Sequence, residues 1–361
     1  MTTHQESLHN HSRIIFLDYL RIFAFSSVII GHKFYDQLQA YADNPATLHA
    51  QQFIINLLLP LFYCGGAGVV VFFFVSGYII THVLQTEKTL EFVIKRIFRI
   101  YPLYMAAVLI QNSRSILLCI LSPHLISERL PTLLSQLFLV GDLFGTNYSL
   151  YGIEWTLRIE VVFYLYMALL HSLGIMQNYK RLFPYILIAT ALLLTYLPAF
   201  PTWNETTIGN TNIYAPFLML GAIMYLAEKK QIHYAILPIV VLLVFFRYHA
   251  MIETYQPRWL GAHFALLAFL IFASAWALRR HLPATTFVLF ASDLTYAAYL
   301  FHSWHYKYIK DKLTDFSITF LPLDLTAMVI LLIVCILAVK YIEKPGIRLG
   351  RYVISRLGQK N

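Results

Sequence analysis

Charged residues are scarce in this 361-residue chain, at 12% of the sequence, whereas hydrophobic residues reach 59%. A typical soluble domain carries about 25% charged and about 45–50% apolar residues, so the composition excludes an ordinary soluble enzyme and a disordered chain. Only three cysteines are present, and they are scattered in or beside apolar segments, which excludes a disulfide framework and a cysteine metal site. The sequence therefore predicts an all-α polytopic membrane protein.

Long polar stretches are also lacking. No such stretch reaches about 50 residues, the lower end for a folded domain, so we expect no appended soluble domain. The first apolar segment contains Asp18 and Arg21 and is not followed by a small-residue cleavage site, which argues against a cleavable signal peptide. We predict an N-terminal tail over residues 1–13, one transmembrane domain over 14–343 and a basic tail over 344–361.

Apolar runs long enough to span a bilayer, about 17–25 residues, occur ten times. These ten predicted spans cover residues 14–34, 66–84, 98–121, 153–174, 183–200, 213–227, 234–250, 260–279, 286–306 and 324–343. Two shorter apolar stretches, 52–63 and 131–145, are interpreted as interfacial or re-entrant segments. The fold prediction is thus a bundle of about ten transmembrane helices embedded in the lipid bilayer.

Positive charge is distributed unevenly between the predicted loops. With the N-terminus inside, 17 of the 27 Lys and Arg residues fall in cytoplasmic segments and five on the opposite side. This bias predicts that both termini are cytoplasmic, and it explains the net charge of +9 without invoking nucleic acid as a partner. A bacterial inner membrane is the predicted location.

Ionisable residues interrupt several of the predicted spans, and charged or titratable groups inside a bilayer are costly enough to suggest function. Arg21 and His32 are eleven positions apart, so they return nearly to one face of the first helix. Glu160 in the fourth span and His302 in the ninth are predicted at a depth similar to that of His32, and Asp293 at the level of Arg21. There are structural alternatives to a functional role. Arg21 would snorkel to the membrane interface, His32 would cap the end of its helix, and Glu160 would form an ion pair with a buried cation such as Arg158.

Two further segments combine small or basic residues with aromatic ones. Ser76 and Gly77 lie among bulky aromatic residues of the second span, where they allow either close helix packing or space for an extended ligand. Arg96 and Arg99 are three apart at a predicted cytosolic boundary, so they share one helix face. Two guanidinium groups so placed suit a phosphate clamp, and ordinary lipid headgroup contact is the alternative.

Six short motifs, taken in order, resemble those of the acyltransferase-3 family of integral-membrane O-acyltransferases. Any one of them is weak, but their order along the chain is specific. They are Arg21 followed after ten residues by His32, FFVSGYI at 73–79, RIFRIYP at 96–102, WTLRIE at 155–160, LTYAAYLFH at 294–302 and YIEKP at 341–345. Thr295 replaces the serine usual in the fifth motif, which is a mild departure.

The resemblance implies transfer of an acyl group, usually acetyl, from acyl-CoA to a sugar hydroxyl. Members without an appended extracytoplasmic domain commonly modify surface polysaccharides or their lipid-linked precursors, so a carbohydrate acceptor is expected. Acyl-CoA is then a co-substrate, and no permanently bound cofactor or metal is predicted. The oligomeric state is not predicted.

The expected catalytic residues are His32, Glu160 and Arg21. His32 is the expected general base, since an imidazole with an unperturbed pKa of about 6.5 can accept the proton of an attacking hydroxyl. Glu160 is expected to orient that imidazole, and Arg21 to face the pantetheine arm. A covalent acyl-His32 intermediate is the alternative to direct transfer.

The remaining candidates are expected to bind substrates. Acyl-CoA binding is assigned to the pair Arg96 and Arg99 and to the pair Ser76 and Gly77, and the candidates that line the acceptor route are Trp155, Tyr296, His302 and Asp293. Two other functions compete with acyl transfer. A flippase or transporter of a polysaccharide precursor would work without acyl-CoA, and a non-catalytic scaffold would tolerate loss of His32.

Overall fold

The computed structural model describes residues 13–259, 263–317 and 322–358, and every regular element in these ranges is helical. The all-α prediction is therefore confirmed. The α-helices are α1 (Ile15–Lys33), α2 (Tyr35–Asp43), α3 (His49–Leu58), α4 (Gly66–Val83), α5 (Thr89–Gln111), α6 (Ser113–Leu121), α7 (Ile126–Leu137), α8 (Gly141–Phe144), α9 (Glu154–Ser172), α10 (Ile175–Asn178), α11 (Phe183–Leu194), α12 (Asn210–Glu228), α13 (Ile236–Tyr255), α14 (Phe264–Ala277), α15 (Thr286–Phe301), α16 (Trp304–Asp315), α17 (Leu323–Ala338) and α18 (Lys344–Gly358).

Each of the ten predicted apolar runs overlaps at least one helix, but several boundaries differ. The run 98–121 is divided between α5 and α6, which meet at 61°. Asn112 lies at this bend and donates its side-chain amide to the carbonyl of Val108 at 2.9 Å and to the hydroxyl of Ser149 at 2.6 Å. A short amide side chain that bonds nearby backbone competes with the helix, which accounts for the break. The run 286–306 likewise ends early, at Phe301 of α15.

Four helical stretches among the described residues are long and apolar enough to cross a membrane. They are α1, the stretch His49–Val83, α13 and the stretch Leu323–Gly358, and the bent pair of α5 and α6 makes a fifth if it is one span. Three more apolar helices, α11, α14 and α15, are 12 to 16 residues long. The count of ten spans and the cytoplasmic termini stay predictions.

The chain divides into two compact units, and the first comprises residues 1–75 and 263–295. Helix α1 and the start of α4 approach each other closely in this unit. The absence of a side chain at Gly68 permits this, since a Cβ there would lie 2.2 Å from the carbonyl oxygen of Ala24. The buried hydroxyl of Ser27 joins the same region, since it accepts from the backbone N–H of Gly68 at 3.1 Å and donates to the carbonyl of Leu61 at 2.7 Å. Phe74 and Phe272 add an aromatic contact with ring centres 5.2 Å apart.

A fully buried carboxylate holds α1 and α15 together within this unit. Asp18 accepts two hydrogen bonds from the guanidinium of Arg13, at 2.8 and 3.0 Å, and one from the hydroxyl of Ser292 at 2.6 Å. Arg21 contacts the same carboxylate at 3.2 Å, and Arg13 also reaches Asp293 at 3.1 Å. Two cations and a hydroxyl therefore compensate the charge that burial would otherwise penalise.

The second unit comprises residues 76–262 and 296–361 and is organised around α12. All residues of α12 except Thr211 and Glu228 are buried, and α9, α11 and α13 pack on it. The C-terminal part of α4 also contacts α12 closely. Gly77 permits this contact, since a Cβ there would lie 1.9 Å from the carbonyl oxygen of Leu218. A helix that is apolar on every side is thus enclosed by its neighbours.

The segment expected to be a basic tail forms a helix over most of its length. Helix α18 follows α17 through a π-helical turn at Val339–Glu343 and packs against α5. Gly346 and Gly350 are buried on the contact face, where a Cβ at Gly350 would lie 2.7 Å from the Cβ of Phe98. Two glycines four residues apart share one helix face, and this spacing is the signal in the sequence for a close helix contact.

We expect Asp18→Asn to destabilise the protein more than Asp293→Asn. Both carboxylates contact Arg13, but the Asp18 side chain is 0% exposed whereas that of Asp293 is 40% exposed. Removing one partner of a buried pair costs about 3–5 kcal/mol, whereas an exposed pair contributes about 1 kcal/mol or less. Thermal unfolding of the purified variants in detergent should show a large decrease in midpoint for Asp18→Asn alone. Equal decreases for the two variants would contradict this assignment.

Candidate active site

His32 lies in the last turn of α1 and is exposed. Its Nε2 is 3.2 Å from the carbonyl oxygen of Cys64, in a turn where Cys64 and Gly65 have φ angles of +48° and +68°. Positive φ is rare for a residue other than glycine, so this turn has an unusual backbone that presents the carbonyl to the imidazole. A carbonyl only accepts, so this contact requires a hydrogen on Nε2.

Backbone packing also fixes the height of His32 relative to that turn. A Cβ at Gly31 would lie 2.1 Å from the carbonyl oxygen of Phe62 and 2.4 Å from the backbone nitrogen of Gly65. Only glycine permits this approach of α1 to the turn. The residue before the histidine is therefore part of what positions the imidazole, and the sequence analysis did not single it out.

Arg21 and Asp293, which the sequence placed at one level, both belong to the ion-pair network around Asp18. Arg21 contacts Asp18 at 3.2 Å, and Asp293 contacts Arg13 at 3.1 Å. Arg13 was not among the predicted site residues because it precedes the first apolar run. The network places two arginines near the N-terminal end of α1, with His32 at the other end of the same helix.

Glu160 lies on α9 and is 5% exposed. It accepts a hydrogen bond from the hydroxyl of Ser76 on α4 at 2.5 Å and another from the hydroxyl of Tyr164, one turn further along α9. The alternative ion pair between Glu160 and Arg158 is not formed, because Arg158 pairs with Asp142. Tyr164 was missed by sequence reasoning, although its spacing of four residues from Glu160 places both on one helix face.

The end of α15 contributes a second set of buried polar contacts in the second unit. His302 is 0% exposed, and its Nδ1 lies 2.6 Å from the carbonyl oxygen of Tyr299. The hydroxyl of Tyr299 is 2.6 Å from that of Thr156 on α9, and the hydroxyl of Tyr296 donates to the carbonyl of Ile100 on α5 at 2.8 Å. These bonds join α15 to both neighbouring helices.

Trp155, at the start of α9, is half-buried against the buried ring of Tyr214 on α12. The two ring centres are 5.0 Å apart with their planes tilted by 43°. One face of an aromatic pair of this kind suits a sugar ring or another apolar group, and the contact with Tyr214 fixes the orientation of the indole.

Arg96 and Arg99 share a face of α5 but differ in their partners. Arg99 pairs with Glu343, a buried carboxylate in the π-helical turn before α18. Arg96 has no acidic partner among the described residues, and its guanidinium lies over the ring of Phe92 at 5.4 Å. Its Nε is buried and meets no hydrogen-bond acceptor in the described part of the chain. Of the two arginines, Arg96 is therefore the one whose charge is not balanced by a carboxylate.

A buried polar cluster near the start of α9 also escaped prediction. Asp142 on α8 pairs with Arg158 and accepts hydrogen bonds from Tyr148 at 2.7 Å and from the indole N–H of Trp203 at 3.0 Å. These residues come from two helices and two loops, so no local pattern in the sequence connects them. Among the described residues, no group of three His, Cys, Asp or Glu side chains is placed to hold a metal ion.

Comparison with known proteins gives one match. A family model described as an acyltransferase domain, that of the acyltransferase-3 family, matches residues 14–340. No curated protein matches the chain, and no solved structure matches it. The matched segment contains the exposed His32 and the buried cluster of Glu160, Ser76 and Tyr164, and it covers nearly the whole sequence. The chain belongs to the acyltransferase-3 family.

Proposed function

We propose that this protein is a membrane-bound O-acyltransferase that moves an acyl group, acetyl in the simplest case, from cytosolic acyl-CoA to a sugar hydroxyl. The acceptor would be a surface polysaccharide or its lipid-linked precursor. Membership of the family supports acyl transfer and the apolar helices support a membrane location. The observation that carries the proposal is the exposed His32, whose ring is oriented by the carbonyl of Cys64.

In the proposed reaction the imidazole of His32 accepts the proton of the sugar hydroxyl while that oxygen attacks the thioester carbon of acyl-CoA. The carbon–sulfur bond then breaks, the ester remains on the sugar, and the imidazolium returns its proton to the CoA thiolate. An accessible ring with one nitrogen already bonded to a carbonyl suits this use as a general base. The role of Glu160 in orienting and stabilising the imidazole stays a prediction.

The donor site is proposed at Arg96 and Arg99, with Ser76 and Gly77 along the pantetheine arm. CoA carries phosphates, and a guanidinium pairs well with phosphate oxygens. The unbalanced charge of Arg96 supports this assignment, whereas Arg99 already pairs with Glu343. Arg21 is proposed to stabilise charge along the arm while its own charge is shared with Asp18.

The topology that completes this proposal has ten spans and both termini in the cytoplasm of a bacterial cell, with the protein in its inner membrane. The uneven distribution of Lys and Arg supports it. Trp155, Tyr296, His302 and Asp293 are proposed to line the route taken by the carbohydrate acceptor.

His32→Ala should abolish acylation of surface glycans while His49→Ala leaves it intact. His49 is another exposed histidine in the first unit, with its Nδ1 3.3 Å from the Gln52 amide oxygen, and has no proposed role. Loss of a general base typically costs about 10²–10⁴-fold in rate, enough to remove the product signal. Mass spectrometry of glycans from cells that express each variant at equal membrane levels measures the acyl mass increment and identifies the group.

Two outcomes of that experiment would contradict the proposal. An unchanged increment in the His32→Ala strain would exclude His32 as the base. A change in the quantity of surface glycan with no change in its acylation would instead favour a flippase of the polysaccharide precursor.

Glu160→Gln should lower the acylation rate by at least about tenfold, because an amide cannot stabilise an imidazolium as a carboxylate does. Glutamine keeps the shape of the side chain and retains an oxygen that accepts from Ser76 and Tyr164. Glu228→Gln is the matched control, since Glu228 also accepts from a tyrosine hydroxyl, that of Tyr78 at 2.8 Å. Measuring both product formation and unfolding temperature of the purified variants separates an effect on the reaction from an effect on stability. Wild-type rates in Glu160→Gln would exclude a role for this charge.

A further inference from the structure

The outer surface of α18 carries exposed cations that no step proposed above uses. These are Lys344, Arg348 and Arg351, and we call the three residues the basic face. They are spaced by four and three residues, so they lie along one side of the helix. Arg348 is two positions, about 200° around the helix, from both Gly346 and Gly350, which pack against α5. The basic face is therefore directed away from α5.

The positive charge of this face is not balanced by nearby carboxylates. Glu343 is the only acidic residue in 340–361, and it is buried and pairs with Arg99. Arg348 and Arg351 form no ion pair with any residue that the structure describes. Exposed cations that lie close together repel one another, so an anionic partner would stabilise them.

The basic face begins where an apolar helix ends. Helix α17 is 16 residues long, about 24 Å, which covers most of a hydrocarbon core of about 30 Å. Lys344 follows the last residue of α17 by six positions, so it lies near the boundary of that core. From Lys344 to Arg351 is about 10 Å, and the headgroup layer of one leaflet is about 5–8 Å thick. Long, flexible side chains allow all three cations to reach this layer.

Apolar and aromatic side chains are exposed beside the basic face. Leu349 and Tyr352 are 52% and 53% exposed and lie three residues apart on one flank of α18, and Tyr341 in the preceding turn is 63% exposed. Tyrosine is typical of the membrane–water interface, where its ring meets lipid and its hydroxyl meets water. A soluble polyanion such as CoA would leave these side chains in water, whereas lipid headgroups and the adjoining acyl chains would cover them.

Anionic phospholipids meet both requirements, because each carries an unbalanced phosphate at the head of its acyl chains. A zwitterionic phospholipid carries its own cation and so balances the basic face poorly. We propose that the basic face of α18 binds the phosphates of anionic phospholipids in the leaflet where α17 ends. The site uses neither Arg96 nor His32, so it does not depend on the proposed acyl transfer.

The test is native mass spectrometry of the purified protein with dioleoyl phosphatidylglycerol and with dioleoyl phosphatidylcholine, which have the same chains. Each Lys or Arg near an anionic surface contributes about fivefold to binding. Arg348→Gln/Arg351→Gln should therefore lower the affinity for phosphatidylglycerol by about 25-fold and leave that for phosphatidylcholine unchanged. Equal affinity of the wild type for the two lipids would overturn the proposal, as would unchanged binding in this double variant.

Two further variants separate the basic face from net charge. Lys180→Gln/Arg181→Gln removes the same two charges from exposed positions between α10 and α11, and it should keep the preference for phosphatidylglycerol. Arg348→Lys/Arg351→Lys keeps the charge and should bind as the wild type does. An equal loss in the Lys180 and Arg181 variant, or a full loss in the lysine variant, would exclude a specific basic face.

A phosphatidylglycerol analogue with a photoreactive headgroup locates the site without any variant. It should label α18 of the wild-type protein, peptide mass spectrometry should identify the position, and added CoA should not reduce the labelling. Labelling confined to other helices would contradict the proposed site. Displacement of the label by CoA would assign the basic face to a soluble polyanion instead of lipid.

Discussion

Each buried carboxylate must be compensated from within the protein, because a buried site offers neither water nor counterions. In this chain that requirement determines where helices meet. Asp18 draws Arg13, Arg21 and Ser292 together and so joins α1 to α15. Glu160 joins α9 to α4 through Ser76. Removing one partner of such a pair is far more costly than replacing both partners with apolar residues. These contacts therefore fix the register of the helices.

The same requirement separates charges that are balanced within the protein from one that is not. Arg99 and Arg158 have buried carboxylate partners, Glu343 and Asp142, which balance their charges. Arg96 has none in the described residues, although it lies one turn from Arg99 on the same helix face. Two arginines that look equivalent in the sequence therefore differ in whether their charge is balanced. The difference comes from Glu343, which lies more than 200 positions further along the chain.

Hydrophobic runs were sufficient to locate the apolar helices, since an apolar segment of about 20 residues has few other structures available to it. They did not reveal α2 or α18. The sequence also singled out His32 and Glu160 as candidates, because ionisable residues are conspicuous among apolar neighbours. It could not identify the carbonyl of Cys64, since that contact depends on the positive φ angles of a turn. The pairing of Asp142 with Arg158 was equally hidden, because it depends on tertiary packing. The bend at Asn112 required knowledge of Ser149, 37 residues further along the chain.

The most direct test of the account is the release of free CoA thiol by the purified protein in lipid nanodiscs. We expect release that requires both acyl-CoA and a sugar acceptor, that yields one acylated sugar for each thiol, and that is lost in His32→Ala. Thiol release by His32→Ala at the wild-type rate would contradict the assigned base. A folded wild-type protein that binds acyl-CoA and acceptor without releasing thiol would contradict the central claim of acyl transfer.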